Sequence, residues 1–195
     1  MGIWSESVIK FSVSSNTAKA SAWLDLVQML TGAGLVLFMW AHMLLVSSVV
    51  ISPGLMNAIA AFFEETGLAQ VGGPIIGGVF LFHFIVAARK MPFRLQEQKT
   101  FWQQSVMLNH ADTWLWLVQV VTAIVILIMG SIHIWEVLTN LPITAVRSAA
   151  RVQNGFWLVF YLILLPLVEL HVSIGFYRIG VKWGLIKRQN RSQAM

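Results

Sequence analysis

The sequence predicts an all-α integral membrane protein in which four spanning helices form one transmembrane helical bundle. Of its 195 residues, 57% are hydrophobic and 11% are charged, and the mean hydropathy is +0.75. A soluble domain of this size would carry more polar surface. Four apolar runs reach the roughly 20 residues that a helix needs to cross a bilayer. They lie at about 23–51, 72–88, 113–139 and 155–180.

Each run is predicted to be helical, because a segment in lipid must satisfy its backbone hydrogen bonds internally. The first contains LVLFMWAHMLLVSSVVI, which is apolar throughout. A strand of a membrane barrel would be about half as long and would alternate in polarity. The other three runs contain VFLFHFIVAA, VVTAIVILIMG and LVFYLILLPLV, which are equally continuous. We find no internal repeat and no low-complexity linker, so residues 1–195 are predicted to form a single membrane domain.

The basic residues indicate the topology. The segment 52–71 has no lysine or arginine, whereas 89–112 has four and the tail from residue 178 has five. By the positive-inside rule, the N-terminus, the 89–112 segment and the C-terminus are cytoplasmic. The net charge of +5 is explained in this way, and no nucleic-acid partner is expected. The first 22 residues do not resemble a cleaved signal peptide, and the lack of cysteine excludes an iron–sulfur cluster held by this subunit alone.

Four of the five histidines fall one in each apolar run: His42, His83, His133 and His171. Ionisable side chains at membrane depth are expensive and rare, so this distribution indicates a functional site. A haem with two histidine ligands needs two neutral imidazoles from facing helices, and four helices can supply two such haems. The alternative is that these histidines form hydrogen bonds between helices or belong to a proton relay.

The predicted depths sort the histidines into two pairs. His42 and His133 lie about nine and six residues before the outer ends of their helices, so both lie in the outer half of the membrane. His83 and His171 lie six and seven residues before the basic residues that mark the inner ends of theirs. The first two form the predicted outer pair of haem ligands and the last two the inner pair. Two stacked haems would carry electrons across the membrane.

Two further polar residues leave alternatives open. His110, at the cytoplasmic start of the third span, either contacts a haem propionate or a quinone, or is an interfacial side chain. Glu169 is the only acidic residue well inside a span, and it stands two positions before His171. At 100° per residue its side chain points away from that imidazole, so it is expected to face another element. It is either a hydrogen-bonding group that fixes packing or a proton-relay group.

Several stretches resemble a known family. They are DLVQMLTG and WAHM in the first span, HFIVAARKMPF in the second, HADTWLW and GSIH in the third, and VELHVSIGFYRIGVKWG in the fourth. Together they resemble the dihaem cytochrome b subunit of quinol:fumarate reductases and related succinate dehydrogenases, from about residue 22 to residue 186. The VELH, GFYR and VKWG strings are the most specific part.

The resemblance implies a membrane anchor with two b haems, docked to an iron–sulfur subunit and a flavoprotein that interconverts fumarate and succinate. Menaquinol or another quinol would be oxidised near the outer haem, in a bacterial cytoplasmic (inner) membrane, and the whole complex could form a dimer. The family pairs its histidines as the depths do. It also has a fifth transmembrane helix after the VKWG segment, where this chain has a basic stretch that runs to Met195. Either the chain continues further or this member has four helices.

The resemblance also implies roles for other side chains. Four match positions near haem propionates, where a cation or hydrogen-bond donor stabilises a carboxylate: Gln28, Trp116, Arg151 and Lys182. Arg151 could instead anchor a helix end at the interface. Glu64 matches the acidic residue of the outer quinol site, and it could alternatively be a solvated loop charge. For Glu169 the resemblance supports the proton relay.

Two other functions remain open at this stage. A cytochrome b subunit of a membrane formate dehydrogenase or hydrogenase also uses histidines on helices to hold two haems. A transporter or anchor without haem would carry the same apolar runs. A difference spectrum separates the transporter from the haem proteins, and the co-purifying soluble subunits separate the haem proteins from one another.

Overall fold

Residues 15–186, as described by a computed structural model, form seven helices and no strand. They are α1 (Ser15–Ser47), α2 (Pro53–Glu65), α3 (Leu68–Ala88), α4 (Leu95–Leu108), α5 (Ala111–Thr139), α6 (Ala145–Gln153) and α7 (Gly155–Lys182). A short 3-10 turn, Ser48–Val50, extends α1. Four stretches are long and apolar enough to cross a membrane: Ala18–Val50, Leu68–Ala88, Ala111–Thr139 and Gly155–Lys182. The predicted all-α membrane bundle with four spans is confirmed.

The spans pack in chain order. α1 packs against α3, α3 against α5, and α5 against α7. Large apolar side chains such as Leu44, Ile85 and Trp135 remain mostly exposed on the outside of the bundle. In lipid this costs nothing, because the acyl chains are as apolar as the side chains.

The short helices α2 and α6 close the end of the bundle that is predicted to face outward. Each starts at a hydroxyl cap: the Ser52 Oγ accepts from the Leu55 N–H at 3.0 Å, and the Thr144 Oγ1 accepts from the Arg147 N–H at 3.3 Å. The Asn57 side chain joins the two helices, since its Oδ1 accepts from a backbone N–H of α6 at 2.8 Å. Their shared core contains Leu45, Met56, Ala60 and Ala145. We call this unit the α2–α6 cap.

The opposite end, which we call the basic end, is joined by the carboxylate of Asp25 in α1. Its partners are Arg89 and Lys90, just after α3, and Lys182 at the end of α7, whose Nζ is 2.9 Å from Oδ2. The Trp183 Nε1 also donates to the Met29 sulfur at 3.0 Å. One carboxylate therefore connects three spans at the end that is predicted to be cytoplasmic.

We expect Asp25→Asn to lower the free energy of unfolding by about 1–2 kcal/mol, since partly exposed ion pairs contribute about 0.2–1 kcal/mol each and three cations would lose their counter-charge. Thermal unfolding in detergent measures the change. Glu97→Gln is the matched control, because Glu97 forms an exposed pair with Arg94 within one helix turn. Equal melting temperatures for the two variants would show that Asp25 does not hold the spans together.

Candidate functional site

The predicted outer pair meets inside the bundle. The ring centroids of His42 in α1 and His133 in α5 are 5.8 Å apart, and the ring planes are inclined by 64°. A bond between a metal and an imidazole nitrogen is about 2 Å long, so two imidazoles that share one metal have centroids about 6 Å apart. The Phe38 ring stacks against His42 at 6.0 Å. The separation is compatible with a single metal between the two imidazoles.

A tyrosine orients one member of this pair. The Tyr161 hydroxyl in α7 lies 3.3 Å from the His133 Nδ1, and the two rings meet edge to face. A group that engages Nδ1 leaves Nε2 available to a metal. Arg151 in α6 pairs with Glu136, which stands one helical turn after His133 in α5.

The predicted inner pair is held by two threonines. His83 lies in α3 and His171 in α7. The Thr31 Oγ1 is 2.9 Å from the His83 Nδ1, and the Thr122 Oγ1 is 3.0 Å from the His171 Nδ1. Gly32 allows the approach of α3, because a Cβ there would lie 3.0 Å from the His83 Cε1. Both rings are half-buried with their Nδ1 atoms engaged.

Gln119 has a buried side-chain oxygen that finds no hydrogen-bond donor in the described part of the chain. Its Nε2 donates to the His171 carbonyl at 3.2 Å and lies 3.3 Å from the His171 Nε2. Its Oε1 is buried, and no residue within 15–186 serves as its hydrogen-bond partner. A buried acceptor without a donor is costly, so a further polar group or water is expected beside His171.

These residues fit haem b. Four imidazoles, one from each span, lie in an apolar bundle, and at least three of the four rings have Nδ1 engaged. Among residues 15–186 there is no group of three or more His, Cys, Asp or Glu that could hold a bare metal ion. Haem does not need one, since the porphyrin supplies the remaining ligands. The donor set therefore suits an axially ligated haem.

The residues with predicted propionate roles divide between the two ends of the bundle. The Gln28 carbonyl accepts at 3.1 Å from the Thr31 hydroxyl that contacts His83, and Lys182 pairs with Asp25 at the basic end. The Trp116 ring stacks on Phe101 of α4, with centroids 4.2 Å apart. At the other end, the Arg151 Nε lies 3.2 Å from the Glu136 Oε1. Gln28 and Lys182 are thus positioned toward the inner pair, and Arg151 lies toward the outer pair.

His110 caps a helix. Its side chain is exposed, and its Nδ1 accepts from the Asp112 N–H at 3.2 Å at the start of α5. The Asp112 carboxylate also accepts from the Tyr177 hydroxyl at 2.8 Å. His110 therefore has a structural role as the N-cap of α5, and this role involves no cofactor.

Glu64 is half-buried within the α2–α6 cap. Its Oε1 accepts a hydrogen bond from the backbone N–H of Ile143, in the segment that leads into α6. Glu65, its neighbour, is exposed. The picture of two equally solvated loop charges therefore does not describe Glu64.

Glu169 is exposed on α7. The expectation that it faces another element of the bundle is wrong for the part of the chain that the structure describes. The physical reason is the helical period. Two positions along a helix turn the side chain about 200° away from His171, and that face of α7 is the outer face of the bundle.

Comparison with known proteins decides the family. Residues 95–195 match the family described as succinate dehydrogenase/fumarate reductase transmembrane subunit. The chain is 39% identical over 174 residues to the fumarate reductase cytochrome b subunit of Helicobacter pylori strain J99, covering 84% of this chain and 68% of the relative. The chain belongs to this family. The cytochrome b subunit of Wolinella succinogenes fumarate reductase is 34% identical over 176 residues, covering 86% and 69%. As a member, the chain is a multi-pass membrane protein.

Sequence reasoning missed six residues of the site: Asp25, Thr31, Gln119, Thr122, Glu136 and Tyr161. Tyrosine and threonine are common in spanning helices, so one of them alone signals nothing. Asp25 and Glu136 lie near the ends of the predicted apolar runs, where a carboxylate is unremarkable until its cationic partner is known. The two threonines did have a detectable signal in the sequence, which is described below.

Proposed function

We propose that the chain is the haem-carrying membrane anchor of a fumarate reductase or succinate dehydrogenase complex. It would transfer electrons between a membrane quinol, menaquinol in the simplest case, and an iron–sulfur subunit that contacts a flavoprotein. The observation that carries this proposal is the meeting of the His42 and His133 rings from two different spans, in a chain related to fumarate reductase cytochrome b subunits.

Each pair would hold one haem b, His42 with His133 and His83 with His171. Haem b supplies reversible one-electron redox chemistry when bound. The chain supplies neutral imidazoles, an apolar surround and cations at both ends. Lys182 at the basic end and Arg151 near the α2–α6 cap are suited to balance propionate charge, each already beside one carboxylate.

The two ends would have different partners. The basic end, with Arg89, Lys90 and Lys182 around one Asp25, has a surplus of positive charge and would face the cytoplasm and the iron–sulfur subunit. The α2–α6 cap would face outward and form the quinol site. Quinol oxidation releases protons together with electrons, so a carboxylate there serves as the proton acceptor. Glu64 is suitably placed for that role.

Glu169 would move protons inward as electrons move inward. An unpaired charge in hydrocarbon is costly, so a carboxylate within the α7 span indicates a functional group. In proteoliposomes we expect Glu169→Gln to keep both haems and to lose quinol-driven fumarate reduction. Turnover by the variant at the wild-type rate, without a membrane potential, would exclude the proton-relay role of Glu169.

The proposed function is tested on the complex purified from membranes. We expect a reduced-minus-oxidised spectrum with a b-type α band, two haems per chain by pyridine haemochrome, and quinol-dependent fumarate reduction. A purified chain without haem would indicate a transporter or plain anchor. Two haems with formate dehydrogenase or hydrogenase subunits in the preparation would assign the chain to that other class of complex.

A further inference from the structure

Two spans carry the same short motif. Residues 26–31 in α1 read LVQMLT, and residues 117–122 in α5 read LVQVVT. A histidine of the outer pair follows each motif at the same distance, since 42 − 31 = 11 and 133 − 122 = 11. The expectation that the chain has no internal repeat is therefore wrong at this scale. The pattern LVQxxT followed by histidine occurs once in each half of the bundle.

The repeat places its threonine against the inner pair both times. α1 packs against α3, and α5 packs against α7. Thr31 meets the His83 Nδ1 at 2.9 Å, and Thr122 meets the His171 Nδ1 at 3.0 Å. Each half of the bundle thus supplies one inner histidine and the hydroxyl that contacts it.

The direction of both hydrogen bonds follows from the hydroxyl proton. A threonine hydroxyl has one proton and can accept through its lone pairs. The Thr31 Oγ1 donates to the Val27 carbonyl at 2.8 Å, and the Thr122 Oγ1 donates to the Val118 carbonyl at 2.8 Å. With its proton donated to the helix, each oxygen can accept from the histidine Nδ1–H.

The glutamine of each motif supports the same tautomer. The carbonyls of Gln28 and Gln119 are further acceptors for the threonine hydroxyls, since each lies 3.1 Å from the Oγ1 of its motif. The Gln119 side-chain amide also lies 3.3 Å from the His171 Nε2. An amide N–H can only donate, so Nε2 carries the free lone pair. In this arrangement Nδ1 of each inner imidazole carries the proton and Nε2 the lone pair, and in His171 that Nε2 faces the Gln119 amide.

We propose that Thr31 and Thr122 are paired positioning residues of the inner haem, which present the Nε2 atoms of His83 and His171 and make both imidazoles better electron donors. This inference rests on the proposed haem-binding function. An Nδ1–H bond to an acceptor raises the basicity of a ligating imidazole. A more basic ligand stabilises ferric over ferrous iron and lowers the midpoint potential of that haem.

We expect Thr31→Val and Thr122→Val each to raise the midpoint potential of the inner haem and to leave the outer haem unchanged. Valine keeps the shape of the side chain and removes the acceptor. We expect the preference of the inner haem for the ferric state to fall by about tenfold. This is the lower end of the effects that follow when a metal-ligating histidine loses its hydrogen-bond partner. For a one-electron couple this corresponds to about 59 mV. Redox titration of the purified complex, followed in the α band, measures it.

Three controls make the result specific. Thr31→Ser and Thr122→Ser keep a hydroxyl and should restore the wild-type potential. Thr100→Val removes a hydroxyl that bonds only to its own helix, from Oγ1 to the Gln96 carbonyl at 2.9 Å, and should shift neither haem. If a valine variant binds haem too poorly to titrate while its serine counterpart binds it normally, the positioning role is supported by haem content instead.

The outcomes separate the two proposals. A wild-type complex without two b haems would overturn the proposed function. Two haems in every variant, with the inner potential unchanged or with both haems shifted equally, would overturn the threonine assignment and leave the proposed function standing.

Discussion

Replacing His42 or His133 with alanine is expected to remove the outer haem and leave the inner one, so that the haem content of the purified complex falls from two to one. The ring centroids of this pair lie 5.8 Å apart. A haem that loses one of its two axial ligands is bound more weakly by the bundle. Replacing His83 or His171 should remove the inner haem in the same way. Pyridine haemochrome content and redox titration of the remaining haem report which one is lost.

His110→Ala is the matched control, because this histidine caps α5 on the surface and should leave both haems in place. Where an alanine variant fails to assemble, methionine at the same position tests the assignment, since methionine also serves as an axial haem ligand. A methionine variant should retain the haem with an altered potential. Retention of both haems at wild-type potentials in any ligand variant would show that its histidine is not a ligand.

The spans could be predicted from the sequence because the bilayer imposes a length and a polarity on each of them. The same constraint made four histidines conspicuous. The distances of His42 and His133 from the outer ends of their helices predicted that these two would pair. The short helices α2, α4 and α6 were not predicted. They lie outside the apolar runs, and their stability comes from contacts such as Asn57 with α6, which depend on tertiary structure.

Side-chain partners were the least predictable part of the site. A helical period places Glu169 opposite His171, but it does not say whether a neighbouring helix covers that face. The Glu64 bond to Ile143 joins residues 79 positions apart in the chain, and only the folded α2–α6 cap brings them together. The threonines are an exception, because the repeated LVQxxT is visible in the sequence. The structure explains the repeat, since each of its threonines contacts one histidine of the inner pair.

Glu64→Gln is expected to lower quinol-driven fumarate reduction by roughly 100-fold or more, which is the usual contribution of a positioned general base. Glutamine keeps the oxygen that accepts from the Ile143 N–H, so the α2–α6 cap should stay folded. It cannot take a proton from a quinol at neutral pH. Both haems, their potentials and fumarate reduction from an artificial dye should remain at wild-type levels.

Glu65→Gln separates a specific role from a general loss of negative charge at this surface. Glu65 is the adjacent residue and is exposed, so its variant changes the net charge equally while leaving Glu64 in place. We expect it to retain quinol-driven activity. If the two variants are equally active with quinol, the carboxylate of Glu64 only fastens α2 to the segment before α6, and the proton acceptor must be sought elsewhere. If Glu64→Gln alone loses quinol activity and keeps dye activity, its loss lies in the proton step and not in the haems or the fold.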